Sequence, residues 1–186
     1  MSRTRRLMLY GAVALAAAAA GVGVQIWRSS GKVPPPAPAA ASPAEAILAL
    51  RLADPQGKLE AVSQWRGKVL VVNFWATWCA PCREEIPMFV KLQDKYRAQG
   101  VQFVGIAIDQ PDKTAQFAKE FAINYPLLIG DFGVVDKSRD AGNSKRGLPF
   151  TLIFDRGGAI KSTELGGLKQ EKLEPLLLSI LKTSSK

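Results

Sequence analysis

The chain has 186 residues, of which two are cysteines and none is histidine, and its formal net charge is +9. This composition excludes a scaffold built on disulfides, imidazole-ligated metals, Ser–His or Cys–His catalytic pairs and any four-cysteine metal site, so we expect neither a metal nor another cofactor. The positive charges are scattered rather than interleaved with aromatic residues, which predicts a solvated basic surface and no nucleic-acid partner.

Residues 1–32 have the pattern of a membrane anchor or signal segment, in which three arginines precede an uncharged run from Leu7 to Trp27. A run of about 20 apolar residues can cross a bilayer and exceeds the usual core of a signal peptide. The leading positive charges favour a cytoplasmic N-terminus. We therefore predict a single-pass anchor in a bacterial cytoplasmic membrane, with the domain on the periplasmic side. The alternative is cleavage after the small residues 18–20, which would release a soluble periplasmic protein.

The next segments are a linker and the start of the globular part. Residues 33–45 are rich in proline and alanine, which predicts an extended, semi-rigid linker. Residues 46–186 are long enough to form a domain with its own core. Their first feature is a predicted β-hairpin, with strands at Ile47–Leu52 and Lys58–Val62 joined by a Pro-Gln-Gly turn.

The rest of the chain alternates between strand and helix patterns. Strands are predicted at residues 69–74, 101–108, 125–129, 150–154 and 159–164, and helices at residues 80–98, 114–122 and 169–181. The last two strands are joined by Asp-Arg-Gly-Gly, a good turn sequence. This order predicts an α/β fold with a mixed central sheet covered by helices on both faces.

Cys79 and Cys82 lie where a predicted buried strand turns into a helix. Thiols three positions apart at a helix start can close into a small disulfide, and the helix N-terminus stabilises the thiolate of the first. That thiolate attacks a partner disulfide, and the second cysteine resolves the mixed disulfide. We therefore predict that Cys79 is exposed and nucleophilic and that Cys82 is buried and resolving. The alternatives are a structural disulfide, which would close too short a loop to stabilise much, and half of a metal site.

The segment from Val71 to Pro87, VVNFWATWCAPCREEIP, resembles the active-site segment of thioredoxin-fold proteins. It is most similar to the TlpA/ResA branch of membrane-anchored bacterial thiol–disulfide oxidoreductases. A second signature, GLPFT at residues 147–151, matches the family's cis-proline segment. The resemblance covers residues 46–186 and implies a thioredoxin fold with an N-terminal β-hairpin and a central insertion. It also implies that Pro149 is cis beside the redox pair and that the backbone of Leu148 pairs with a bound partner.

Several neighbours of the pair are implied to support it. Trp78 and Pro81 belong to the redox motif, and Trp78 is expected to pack within the domain and to touch partners. Asn73 stands where thioredoxin has a buried aspartate, and Glu85 matches an acidic position common in this branch. Glu85 is therefore either the group that handles protons or a solvated helix carboxylate. Members committed to cytochrome c-type biogenesis carry a Gly-Val-Tyr-Gly-type stretch before the proline, whereas this chain has Lys-Arg-Gly.

The resemblance implies an enzyme, a thiol–disulfide oxidoreductase that acts on disulfides of exported proteins. Because the periplasm is already supplied with oxidants, we expect the protein to act there as a reductant. A membrane thiol carrier would then return it to the reduced form. One alternative is a protein disulfide oxidant or isomerase that runs the same chemistry in the other direction. Another is a tethered binding module or chaperone in which the disulfide is idle.

Overall fold

The computed structural model describes residues 41–183. The predicted anchor and residues 33–40 of the predicted linker lie outside the described residues. Within residues 41–183, no helix is both long enough and apolar enough to cross a membrane.

The described chain begins with a short helix rather than with a strand. The N-terminal elements are α1 (Pro43–Leu48), β1 (Arg51–Ala53) and β2 (Leu59–Ala61). The predicted hairpin is confirmed, because β1 and β2 pair antiparallel, but the prediction that its first strand begins at Ile47 is wrong. Ser42 caps α1 by accepting the Glu45 N–H at 3.2 Å, and a proline follows the cap. This cap and the proline at the first helical position favour a helix that buries Ile47 and Leu48.

The main sheet has five strands in the order β5-β4-β3-β6-β7. They are β3 (Val69–Trp75), β4 (Val101–Ala107), β5 (Leu127–Ile129), β6 (Phe150–Phe154) and β7 (Ile160–Leu165). β3, β4 and β5 run parallel, whereas β6 is antiparallel to β3 and β7 is antiparallel to β6. The mixed sheet of the prediction is confirmed. At one edge, called the carboxyl edge below, β3, β4, β5 and β7 end and β6 begins.

Four further α-helices lie within the described residues. They are α2 (Ala80–Tyr96), α3 (Pro111–Glu120), α4 (Phe132–Lys137) and α5 (Gln170–Thr183). α4 was not predicted from the sequence, because six residues are too few to display a helical period. A local signal was nevertheless present, since the side chain of Asp131 caps α4 by accepting the Val134 N–H at 2.9 Å. Asp131 is therefore an N-cap of the kind that sequence patterns can identify.

The sheet carries a hydrophobic core on each face, which confirms the predicted layers. The core on the α2 and α5 face contains both cysteines together with Phe89 and Leu177. The opposite core contains Ile47 and Phe74. Nearly every residue of β3 contributes to one core or the other, because successive side chains point to opposite faces.

A buried side chain completes the hydrogen bonding of β4. β5 pairs with β4 only from Gly105 onward, which leaves the first half of β4 without a neighbour on that side. Gln93 of α2 replaces that strand, since its Oε1 accepts the Phe103 N–H at 2.7 Å and its Nε2 donates to the Val101 carbonyl at 3.3 Å. The backbone groups of β4 are thus satisfied where burial would make unpaired groups costly.

Candidate redox site

Cys79 and Cys82 form a disulfide at the start of α2, with their Cα atoms 5.3 Å apart. Cys79 is the N-cap residue of the helix, and Pro81 lies in its first turn. Cys82 is fully buried, whereas Cys79 keeps 6% exposure. The prediction that Cys79 is exposed is wrong for the disulfide form, because the bond holds its sulfur against a buried partner. Cys79 nevertheless remains the more accessible of the two thiols.

The loop between β3 and α2 is held through Thr77. Its N–H donates to Oδ2 of Asp109 at 3.2 Å, and its hydroxyl contacts the same oxygen. Its carbonyl accepts Nη1 of Arg83 at 3.3 Å. The Arg83 guanidinium also lies 5.1 Å from the ring centroid of Phe117 and 5.3 Å from that of Phe121. These contacts fix the approach of the chain to Cys79.

The Leu148–Pro149 peptide bond is cis, as the resemblance implied. The carbonyl of Pro149 accepts the Gly166 N–H at 2.8 Å. The side chain of Asn143 holds the preceding turn by accepting the Gly147 N–H at 2.9 Å and donating to the Gly147 carbonyl at 3.2 Å. Among the described residues, neither the N–H nor the carbonyl of Leu148 forms a hydrogen bond. The backbone of Leu148 is therefore available to a partner.

Glu85 is buried, with 3% exposure, so the alternative of a solvated carboxylate is wrong. Its carboxylate accepts Nδ2 of Asn73 at 2.9 Å and the Leu168 N–H at 2.8 Å. Burial raises the pKa of Glu85 to about 7, although both hydrogen bonds oppose this shift. Asn73 also donates to the hydroxyl of Thr151 at 3.0 Å. Leu168 and Thr151 were not predicted from the sequence as parts of the site, because they come from distant segments and carry no signal of their own.

Trp78 and Pro81 lie on the surface at the carboxyl edge. The expectation that Trp78 packs within the domain is wrong, because the loop after β3 turns its side chain outward. Pro81 faces Gly167, since a β-carbon on residue 167 would lie 3.6 Å from the Pro81 β-carbon. Pro81 and Gly167 line a cleft of about 380 Å³, and Glu85 lines it as well. The buried Glu85 therefore borders a cleft at the surface.

Comparison with known proteins agrees with this geometry. Residues 43–163 match the AhpC/TSA family. The chain belongs to the AhpC/TSA family. The thiol-disulfide oxidoreductase ResA of Geobacillus kaustophilus is 32% identical to it over 130 residues, which are 69% of this chain and 72% of that protein. ResA of Halalkalibacterium halodurans is 28% identical over 139 residues, which are 74% of this chain and 76% of that protein.

Comparison with solved structures indicates which fold the chain has. The crystal structure of a thiol:disulfide interchange protein of the thioredoxin family from Chlorobium tepidum has a TM-score of 0.65 and 27% identity, covering 71% of this chain and 92% of that chain. This member of the AhpC/TSA family therefore has a thioredoxin-like fold. It is a thiol–disulfide oxidoreductase with the Cys79–Cys82 pair as its redox disulfide.

Proposed function

We propose that the protein reduces disulfides of exported proteins, with Cys79 as the nucleophile and Cys82 as the resolving thiol. The observation that carries this proposal is that the redox disulfide at the N-terminus of α2 and the unpaired backbone of Leu148 lie at the same carboxyl edge of the sheet. An extended partner segment can pair with Leu148 as a short added strand. Its own disulfide would then lie against Cys79.

The exchange proceeds in two balanced steps from the reduced protein. The Cys79 thiolate attacks one sulfur of the partner disulfide, which forms a mixed disulfide and releases the other partner sulfur as a thiolate. The Cys82 thiolate then attacks the Cys79 sulfur and releases the second partner thiolate. Two electrons pass to the partner, and the Cys79–Cys82 disulfide forms. The partner thiolates take up two protons, while the protein thiols lose two.

Glu85 is the candidate acceptor for the Cys82 proton. The two residues are three apart on α2, and residues at this spacing are neighbours on one helix face. Cys82 is fully buried, so its thiol has no direct access to water. A carboxyl with a pKa of about 7 can both accept and return a proton near neutral pH. The cleft beside Pro81 would pass that proton to solvent.

The direction of electron flow follows from the compartment that the proposal assigns. The periplasm already contains oxidants, so a thioredoxin-like domain anchored there would supply the missing activity as a local reductant. A membrane dithiol carrier would supply its electrons. The likeness to ResA, a thiol-disulfide oxidoreductase, supports the exchange chemistry itself.

Redox equilibration tests the proposed direction. The full chain, purified in detergent, is incubated in glutathione buffers, and the fraction of oxidised Cys79–Cys82 is measured by alkylation and mass spectrometry. For a reductant we expect a midpoint near that of thioredoxin, about −270 mV, rather than near that of DsbA, about −120 mV. A midpoint above about −180 mV, the value of protein disulfide isomerase, would contradict the reductant role.

Fractionation tests the proposed anchor. If residues 7–27 span the membrane, the full-length protein stays in the membrane fraction after washing with high salt and alkali. Its N-terminal sequence should begin at or next to residue 1. A soluble periplasmic form that begins near residue 21 would show cleavage instead.

A further inference from the structure

One buried side chain, that of Asn143, holds the turn ahead of the cis-proline segment. Asn143 is fully buried. Its Oδ1 accepts the Gly147 N–H at 2.9 Å, and its Nδ2 donates to the Gly147 carbonyl at 3.2 Å. One carboxamide thus pairs with both backbone groups of one residue, as a residue of a neighbouring strand would. These two hydrogen bonds are called the Asn143 clamp below.

Asn143 is itself fixed to the rest of the domain. Its backbone N–H donates at 3.1 Å to the carbonyl of Ser138, the buried residue that caps the end of α4. Its carbonyl accepts the Arg146 N–H at 3.0 Å, which closes a tight turn. The Arg146 side chain also returns to α4, where its Nε lies 2.5 Å from Oδ1 of Asp136. The clamp is therefore anchored to α4 and holds Gly147 against that anchor.

Leu148 depends on its neighbours for its orientation, because among the described residues neither its N–H nor its carbonyl is paired. On its carboxyl side the chain is held by the Pro149 carbonyl, which accepts the Gly166 N–H at 2.8 Å, and by the pairing of β6 with β3. On its amino side the adjacent hydrogen bonds are those of Gly147 to Asn143. Glycine has no β-carbon to restrict its φ and ψ, so without the clamp this side would gain backbone freedom.

We propose that Asn143 is a positioning residue for the exchange reaction, and that its clamp holds the Leu148 backbone in the orientation that pairs with a partner segment. Main-chain hydrogen bonds are directional, so a donor and an acceptor that are fixed in advance bind more tightly than mobile ones. Burial keeps Asn143 itself from touching a partner. It therefore acts on the binding of disulfides that carry a peptide backbone and not on the exchange step at Cys79. The inference rests on the proposed reduction of protein disulfides and adds what fixes the groups that recognise the partner.

The test compares two substrates of the reduced full-length protein. One is an extended peptide closed by an intramolecular disulfide, and the other is hydroxyethyl disulfide, which has no peptide backbone to pair with Leu148. The rate of oxidation of the protein at increasing substrate concentration gives a half-saturating concentration and a maximal rate. For Asn143→Ala we expect the half-saturating concentration of the peptide to rise about tenfold, the value of roughly one net hydrogen bond. The maximal rate with the peptide and the rate with hydroxyethyl disulfide should stay near those of the wild type.

The matched control is Asn124→Ala. Nδ2 of Asn124 donates to the Val90 carbonyl at 3.1 Å, so the control also removes a hydrogen bond from an asparagine side chain to the backbone. Asn124 precedes β5 and lies at the edge of the sheet opposite the carboxyl edge. This control should leave the rates with both substrates unchanged.

Asn143→Asp provides a second variant with a pH-dependent signature. A protonated carboxyl can accept the Gly147 N–H and donate to the Gly147 carbonyl, whereas a carboxylate cannot donate. Burial raises the pKa of such a carboxyl, so the clamp should form at about pH 5.5 and be lost by about pH 8. Relative to the wild type at the same pH, the half-saturating concentration of the peptide should rise about tenfold over this range. The rate with hydroxyethyl disulfide should show no such difference.

The inference is overturned by an Asn143→Ala variant that binds the peptide as the wild type does, or that slows both substrates equally. An equal loss of peptide binding in Asn124→Ala would assign the effect to general destabilisation and would also overturn it. If Asn143→Ala does not fold, the decision passes to Asn143→Asp, where a peptide profile parallel to that of the wild type would contradict the clamp. Failure of the proposed function looks different, because the wild type would then reduce hydroxyethyl disulfide but not the peptide.

Discussion

Replacement of Cys82 by serine is expected to trap the protein in mixed disulfides with its partners, whereas Cys79→Ser is expected to abolish exchange. Cys79 lies at the N-cap of α2, where the helix N-terminus stabilises a thiolate, and it is the more accessible thiol. Cys82 is fully buried and can be reached by the Cys79 sulfur but not by a partner. Without it, only an external thiol can release the partner, so release should slow by at least about a thousandfold.

The measurement is the recovery of partner adducts from cells that express each variant, separated without reductant and identified by mass spectrometry. The control is the Cys79→Ser, Cys82→Ser double variant, which should form no adducts. Adducts that accumulate with Cys79→Ser rather than with Cys82→Ser would reverse the assignment of roles. A double variant that still restores the wild-type phenotype to a deletion strain would favour the tethered binding module.

The strands and the redox pair could be predicted from the sequence because their signals are local. β3 reads as a nearly continuous apolar run, and the structure buries all of it. The two cysteines and the proline between them mark the start of α2 directly. The segments that the sequence analysis misassigned or missed are short. Ile47 lies in α1, which like α4 has six residues. In helices this short a cap decides the structure and periodicity carries no information.

The environment of the site could not be predicted, because it depends on segments that are far apart in sequence. Glu85 has the sequence context of any helix carboxylate, and its burial follows from the closing turn that brings the Leu168 N–H to it. The outward direction of Trp78 likewise depends on how Asp109 and Arg83 hold Thr77. The two signatures identified which residues react. The tertiary packing determines the pKa and the accessible surface of their neighbours.

The pKa of Glu85 leads to the second large expected effect, which concerns the stability of the oxidised protein. Burial raises the pKa of Glu85 from 4.5 to about 7. Between these values the folded state keeps a proton that the unfolded state has released, so protonation stabilises the fold. This contribution is fully present below pH 4.5 and is lost as the pH rises to about 7. At 1.36 kcal/mol per pKa unit, the loss amounts to about 3 kcal/mol.

The composition makes this effect measurable. The chain contains no histidine, and both cysteines are held in the disulfide, so few other side chains titrate between pH 5 and 8. Denaturant unfolding is measured at several pH values for the oxidised wild type, for Glu85→Gln and for the control Glu84→Gln. Glu84 is the exposed neighbour of Glu85 on α2, so its replacement should leave the pH profile unchanged within about 0.5 kcal/mol.

The informative quantity is the free energy of unfolding of the wild type minus that of Glu85→Gln. A glutamine at residue 85 has one acceptor oxygen, so it cannot accept hydrogen bonds from both the Asn73 amide and the Leu168 N–H in the way that the two oxygens of Glu85 do. The variant therefore loses a hydrogen bond at every pH. That loss is constant, whereas the difference between the two proteins should fall by about 3 kcal/mol between pH 4.5 and 8. Parallel pH profiles for the two proteins would show that Glu85 ionises at an ordinary pKa. Glu85 would then be fully ionised at neutral pH, and with so low a pKa it would be unsuited to accept the Cys82 proton.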